Sequence, residues 1–93
     1  MAIARIIHTG IEPEQYDKMR ESLGIQDTPP PGGTFHVAGR GEDGKIKIVE
    51  VWETREQAEA WGEKVAAARD EAGFGGGSPP TIEYLEVYNI IKA

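Results

Sequence analysis

The stretch Lys45–Trp61, KIKIVEVWETREQAEAW, changes its periodicity half-way along, and that change decides the fold. Lys45 to Glu53 is dominated by β-branched and aromatic residues, which fit a strand. Thr54-Arg55-Glu56-Gln57 then forms a capping box, in which the Thr54 hydroxyl accepts from the amide three residues on and Gln57 reaches back. From there Ala58, Trp61, Val65, Ala68 and Ala72 recur at helical spacing and make one buried stripe. Gly73 supplies a left-handed stop, with Phe74 placed to fold back on the last turn. Gly62, inside the helix, costs about 1 kcal/mol relative to alanine and points to a close approach by another backbone.

Upstream, Thr34–Arg40 is a second strand joined to the first through Gly41-Glu42-Asp43-Gly44, a hairpin signal. Asp27–Gly33 (DTPPPGG) excludes regular structure, because three prolines lack donors and favour an extended segment. Before it, Pro13 to Leu23 reads as a helix. Proline suits its first position, Tyr16, Met19 and Leu23 share a face, and Gly24 ends it with Ile25 folding back on Met19. Ala2–His8 is the opening strand. Downstream, Gly75–Pro80 is a connector: a phosphate-cradling loop would be followed directly by a helix opening on Lys and Ser or Thr, and this one is not. Thr81–Ile91 is the closing strand.

The resulting order, β-α-β-β-α-β, is that of a ferredoxin-like α+β domain with a four-stranded antiparallel sheet, occupying residues 1–93 as one unit. A sheet with helices on one face and water on the other should alternate apolar and polar residues. These strands do not. Ile46, Ile48 and Trp52 oppose Val49 and Val51, while Leu85, Val87 and Ile91 oppose Ile82, Tyr84, Tyr88 and Ile90. Two apolar faces and only two helices call for a second cover. A second copy of the same sheet about a two-fold axis provides it, giving a homodimer through the sheet face.

Composition limits the partners. Sixteen acidic residues against ten basic ones give a net charge of -6 with no basic run, which disfavours nucleic acid and anionic membrane. No stretch approaches the roughly twenty apolar residues of a membrane span, and the N-terminus has no secretion pattern. With no cysteine there is neither disulfide nor thiolate chemistry, and a cytoplasmic setting is expected.

Ile48–Trp61, with its Trp-Glu turn into the helix, resembles the strand-to-helix signature of the dimeric α+β barrel superfamily, and within it the antibiotic biosynthesis monooxygenase domains. The element order and chain length extend the resemblance over nearly the whole domain. It implies a dimeric barrel, and the superfamily includes cofactor-independent monooxygenases and haem-degrading enzymes. In haem-degrading relatives a tryptophan at the position of Trp61 presses on the porphyrin and a histidine follows on the same helix. Here Arg69, Asp70 and Glu71 stand in that region and no histidine follows His36, so haem degradation is not carried over. No cofactor is expected.

Candidate site residues follow from chemistry. His36, within an otherwise apolar strand, is the side chain best suited to move a proton near neutral pH, or else a satisfied structural residue. Glu50, among apolar strand residues, is either a base with a raised pKa at a cavity or the partner of Arg5 in a salt bridge on the neighbouring strand. Tyr16, Trp52 and Trp61 are wall candidates for an apolar pocket, the two tryptophans having core packing as their alternative. Asn89 is a candidate for orienting a ligand carbonyl, and His8 for bordering the same cavity. Two isolated histidines lack metal-ligand spacing, so no structural metal is expected. Two functions remain: an oxygenase acting on an aromatic or phenolic small molecule through His36 or Glu50, or a non-catalytic dimeric domain binding a small ligand or a protein.

Overall fold

The computed structural model describes residues 2–25, 30–73 and 80–91. Their elements are β1 (Ile3–His8), α1 (Pro13–Leu23), β2 (Gly33–Arg40), β3 (Ile46–Trp52), α2 (Arg55–Glu71) and β4 (Thr81–Glu86). The strands form one sheet in the order β2-β3-β1-β4, every neighbouring pair antiparallel. This is the ferredoxin-like α+β arrangement.

Local chemistry sets the boundaries. Pro13 opens α1, where its missing donor costs nothing, and the Glu12 amide donates to the Gln15 side chain at 2.8 Å. At the far end Gly24 is left-handed (φ 72°), so its amide and that of Ile25 turn back onto the carbonyls of Glu21 and Arg20. Thr54 caps α2 by accepting from the Gln57 amide at 3.2 Å. The second half of the expected box differs, because the Gln57 carbonyl accepts from the Thr54 hydroxyl rather than from the backbone. Gly73, at φ 80°, follows the end of α2. In the hairpin, Gly41 donates to the Lys45 carbonyl and Gly44 takes positive φ. Of the proline-rich loop, residues 26–29 lie outside the described residues. Its remainder is a turn in which the Gly33 amide donates to the Pro30 carbonyl at 2.8 Å. The expected packing of Phe74 and most of the connector at 75–79 also lie outside the described residues.

The closing strand is shorter than its composition indicates. Ile3, the first residue of β1, pairs with Glu86, and the only further backbone bond among the described residues runs from the Val87 amide to the Ala2 carbonyl. Tyr88, Asn89, Ile90 and Ile91 follow β4 outside the sheet and are exposed.

One face of the sheet packs on the helices. Trp52 and Trp61 meet at 6.4 Å between ring centroids, close over Ala58, and are flanked by Leu23, Ile25 and Val65. Trp52 is the largest side chain fully removed from water, and truncating it to alanine would cost about 3–5 kcal/mol. The opposite face carries Phe35, Val37, Val49 and Leu85, each 42–55% exposed, so the second apolar face read from the strands is present and open.

Candidate active site

Strand register places four chemically active side chains in one row across the helix-facing side of the sheet. His36 of β2 lies opposite Glu50 of β3, Glu50 opposite Arg5 of β1, and Arg5 opposite Tyr84 of β4. Because side chains alternate along a strand, cross-strand partners in register share a face. The row requires only that these positions stay in step.

Three of the four are joined directly. Arg5 Nε and Nη2 donate to Glu50 Oε1 at 3.0 and 2.7 Å, and the Trp52 indole donates to the same oxygen at 3.1 Å. Glu50 Oε2 meets His36 Nδ1 at 3.1 Å. On the other side of the imidazole, Nε2 lies 2.8 Å from the Tyr16 hydroxyl of α1, whose ring stacks on His36 at 15°. Tyr84 stands apart and packs under the Arg55 guanidinium, 4.1 Å from its ring centroid.

Burial alone would push the Glu50 carboxyl up. The hydrogen bond from His36, then the charge and hydrogen bonds of Arg5 and the Trp52 donor, outweigh it and hold its pKa below the ordinary carboxylate value. Of the two readings of Glu50, a base with a raised pKa or the partner of Arg5, the second is the one the geometry supports. A carboxylate already receiving four donors is a poor base, whereas the Arg5–Glu50 ion pair offered as the alternative is present. Glu50 is instead the group that orients His36. An ionised acceptor at Nδ1 keeps the proton there, which leaves Nε2 of the neutral ring as an acceptor. Tyr16 complements this arrangement: burial pushes its pKa up, so its hydroxyl stays protonated and donates to Nε2.

Beside this chain of hydrogen bonds lies a cavity of about 340 Å³ between the sheet and the two helices, within the range of small-molecule sites. Ile7, Ile11, Met19, Trp61 and Val65 give it apolar walls, while Tyr16, His36, Glu50 and Arg5 lie along its polar side. The cavity thus brings together four of the candidate residues: His36, Glu50, Tyr16 and Trp61. Trp52 is not a wall residue. It is 1% exposed, packs against Trp61 and serves Glu50 from behind. Asn89 lies past the end of β4 and His8 is exposed at the end of β1, so neither borders the cavity.

Two features were not read from the chain alone. Arg20 and Arg69 also border the cavity, one from each helix. Gly62 faces Arg5 rather than another backbone: a Cβ there would stand 3.2 Å from Arg5 Nη1. Gly62 directly follows Trp61 of the inward stripe in sequence, but only the fold reveals which side chain it covers. Among the described residues no three histidine or acidic side chains converge as a metal site, and no helix is long and apolar enough to cross a membrane.

Compared with known proteins, the chain matches no family model, and no curated protein is significantly similar to it.

Proposed function

We propose that the chain is a cofactor-independent oxygenase of the dimeric α+β barrel type, in which His36 Nε2 removes a proton from an apolar aromatic or phenolic substrate. The observation that carries this reading is the imidazole itself. Its Nδ1 is tied to a buried carboxylate and its Nε2 lies on the side of an apolar cavity large enough for a two- or three-ring molecule. A base in that setting is held in one orientation towards the cavity, as general-base catalysis requires.

In the proposed reaction the substrate displaces the Tyr16 hydroxyl from Nε2. The C–H or O–H proton passes to His36, and the electron pair remains in the aromatic system as a stabilised anion. Dioxygen then adds to a ring-flanked carbon. For a methylene centre the balance is one methylene and one dioxygen giving one ketone and one water. The substrate supplies all four electrons, one oxygen atom is retained, and the other leaves with the two hydrogens as water. Ile7, Met19, Trp61 and Val65 exclude solvent from the anion. The open sheet face with Phe35, Val37, Val49 and Leu85 supports the homodimer that belongs to this reading.

A second reading, a non-catalytic ligand-binding domain, has one observation in its favour: the Tyr16 hydroxyl already occupies Nε2. Oxygen uptake separates the two. Purified wild type and His36→Ala would be supplied with a panel of polycyclic phenols and aryl ketones without added flavin or haem. Uptake by wild type that collapses in His36→Ala supports the oxygenase. No uptake across the panel by folded protein would favour the binding domain.

A further inference from the structure

In the proposed proton transfer Tyr16 only steps aside, yet among the three tyrosines it has the most elaborate surroundings. Its hydroxyl donates to His36 Nε2 at 2.8 Å, and the two rings lie 15° from parallel. On the other side of the imidazole, Glu50 Oε2 holds the proton at Nδ1, 3.1 Å away, and so keeps Nε2 an acceptor. Among the described residues neither other tyrosine has a histidine partner: Tyr84 lies under Arg55, and Tyr88 is fully exposed. The Arg20 guanidinium stands 5.9 Å over the Tyr16 ring. A fixed cation there disfavours positive charge on the ring, so an electron leaves most readily together with the phenol proton. The base that would take this proton is already in contact.

We infer that Tyr16 and His36 form a one-electron donor pair for organic peroxyl radicals, in which the phenol proton moves to His36 Nε2 as the electron leaves. The peroxyl radical takes one electron and becomes a peroxide anion, which solvent protonates to the hydroperoxide. The Tyr16 O–H bond breaks, its proton forms an N–H bond at Nε2, and a neutral phenoxyl radical remains. The new imidazolium faces the Glu50 carboxylate, so the step leaves no unpaired charge in a partly buried site. Arg5 and the Trp52 indole hold that carboxylate in place throughout. An external reductant of the ascorbate class then returns one electron, the proton crosses back from Nε2, and the phenol is restored. Ile7, Ile11 and Met19 border the same cavity as Tyr16 and limit the access of water to the radical. The pair operates whether or not the cavity turns over a substrate.

Hexachloroiridate(IV) is the first probe, because it accepts an electron but no proton. Stopped-flow mixing with excess protein should show a fast phase in wild type that is lost in Tyr16→Phe. In His36→Ala, folded by circular dichroism, that phase should slow about tenfold or more, the loss of a positioned base. Freeze-quenched wild type should carry a phenoxyl signal in electron paramagnetic resonance that is absent in Tyr16→Phe. A fast phase that persists in Tyr16→Phe, or one unchanged in His36→Ala, would overturn the pair. Should His36→Ala fail to fold, wild type decides alone. Its fast phase should slow in heavy water, and equal rates in heavy and ordinary water would contradict a proton moving with the electron. The oxidant class is tested with peroxyl radicals released by a water-soluble azo initiator. The same phenoxyl signal should appear in wild type, and its absence would remove the assignment to peroxyl radicals. None of these readouts requires turnover of an aromatic substrate, so a radical pair in a protein that consumes no oxygen would stand without the oxygenase reading.

Discussion

His36 Nδ1 and Glu50 Oε2 lie 3.1 Å apart across a register pair of β2 and β3, so the sheet itself decides which imidazole nitrogen is left for the cavity. Nothing longer than a cross-strand contact is needed. The same carboxylate is held by Arg5 from the strand on its other side, which makes the orienting group a fixed part of the sheet.

Glu50→Gln should destabilise the fold by about 3 kcal/mol, because it leaves the buried Arg5 charge uncompensated. Urea denaturation followed by far-UV circular dichroism measures this. A loss below about 1 kcal/mol, the value of an exposed pair, would contradict the buried ion pair.

The pH dependence follows from the lowered Glu50 pKa. The folded value lies below the unfolded one, so the unfolded chain binds more protons between the two. The Glu50 contribution is therefore present above the ordinary carboxylate range and lost as the pH falls through the lowered folded value. Urea midpoints taken from about pH 6 down to about pH 3 should show the gap between wild type and Glu50→Gln closing. A constant gap would show that the carboxylate is not the source.

Tyr16 should titrate above free tyrosine, because burial disfavours its phenolate. Absorbance at the phenolate band should show a late-titrating component, and that component should vanish in Tyr16→Phe. The same variant should keep turnover, since it removes a competitor for Nε2. A loss greater than about tenfold would instead make Tyr16 a proton relay between substrate and His36.

The open sheet face predicts a dimer. Sedimentation velocity should give about twice the 10.2 kDa chain mass for wild type. Val49→Asp, at 42% exposure in the middle of that face, should give monomer with unchanged secondary structure. A monomeric wild type would remove the sheet-face pairing.

Much of the fold was legible because local signals carried it. Pro13, Gly24 and Thr54 mark helix ends by hydrogen-bond chemistry that acts within a few residues, and α1 falls where those residues place it. The end of β4 was not legible, since Tyr88, Ile90 and Ile91 have strand-like side chains, whereas the ladder with β1 among the described residues ends at the pair Ile3 and Glu86. The site divides in the same way. His36 and Glu50 stood out as polar residues among apolar neighbours, but register makes them a pair, and tertiary packing brings Tyr16 of α1 onto Nε2. The choice between the two readings of Glu50 needed the structure for the same reason: burial is visible in a strand pattern, whereas four converging donors are not.

Anaerobic deuterium exchange into the methylene of anthrone, a conjugated aryl ketone with an acidic position, most directly tests proton transfer by His36, because it separates that step from oxygen chemistry. Wild type should accelerate the exchange over buffer, and His36→Ala, folded by circular dichroism, should lose about a hundredfold or more of the acceleration. Acceleration that survives in His36→Ala, or none in wild type, would contradict His36 as the base.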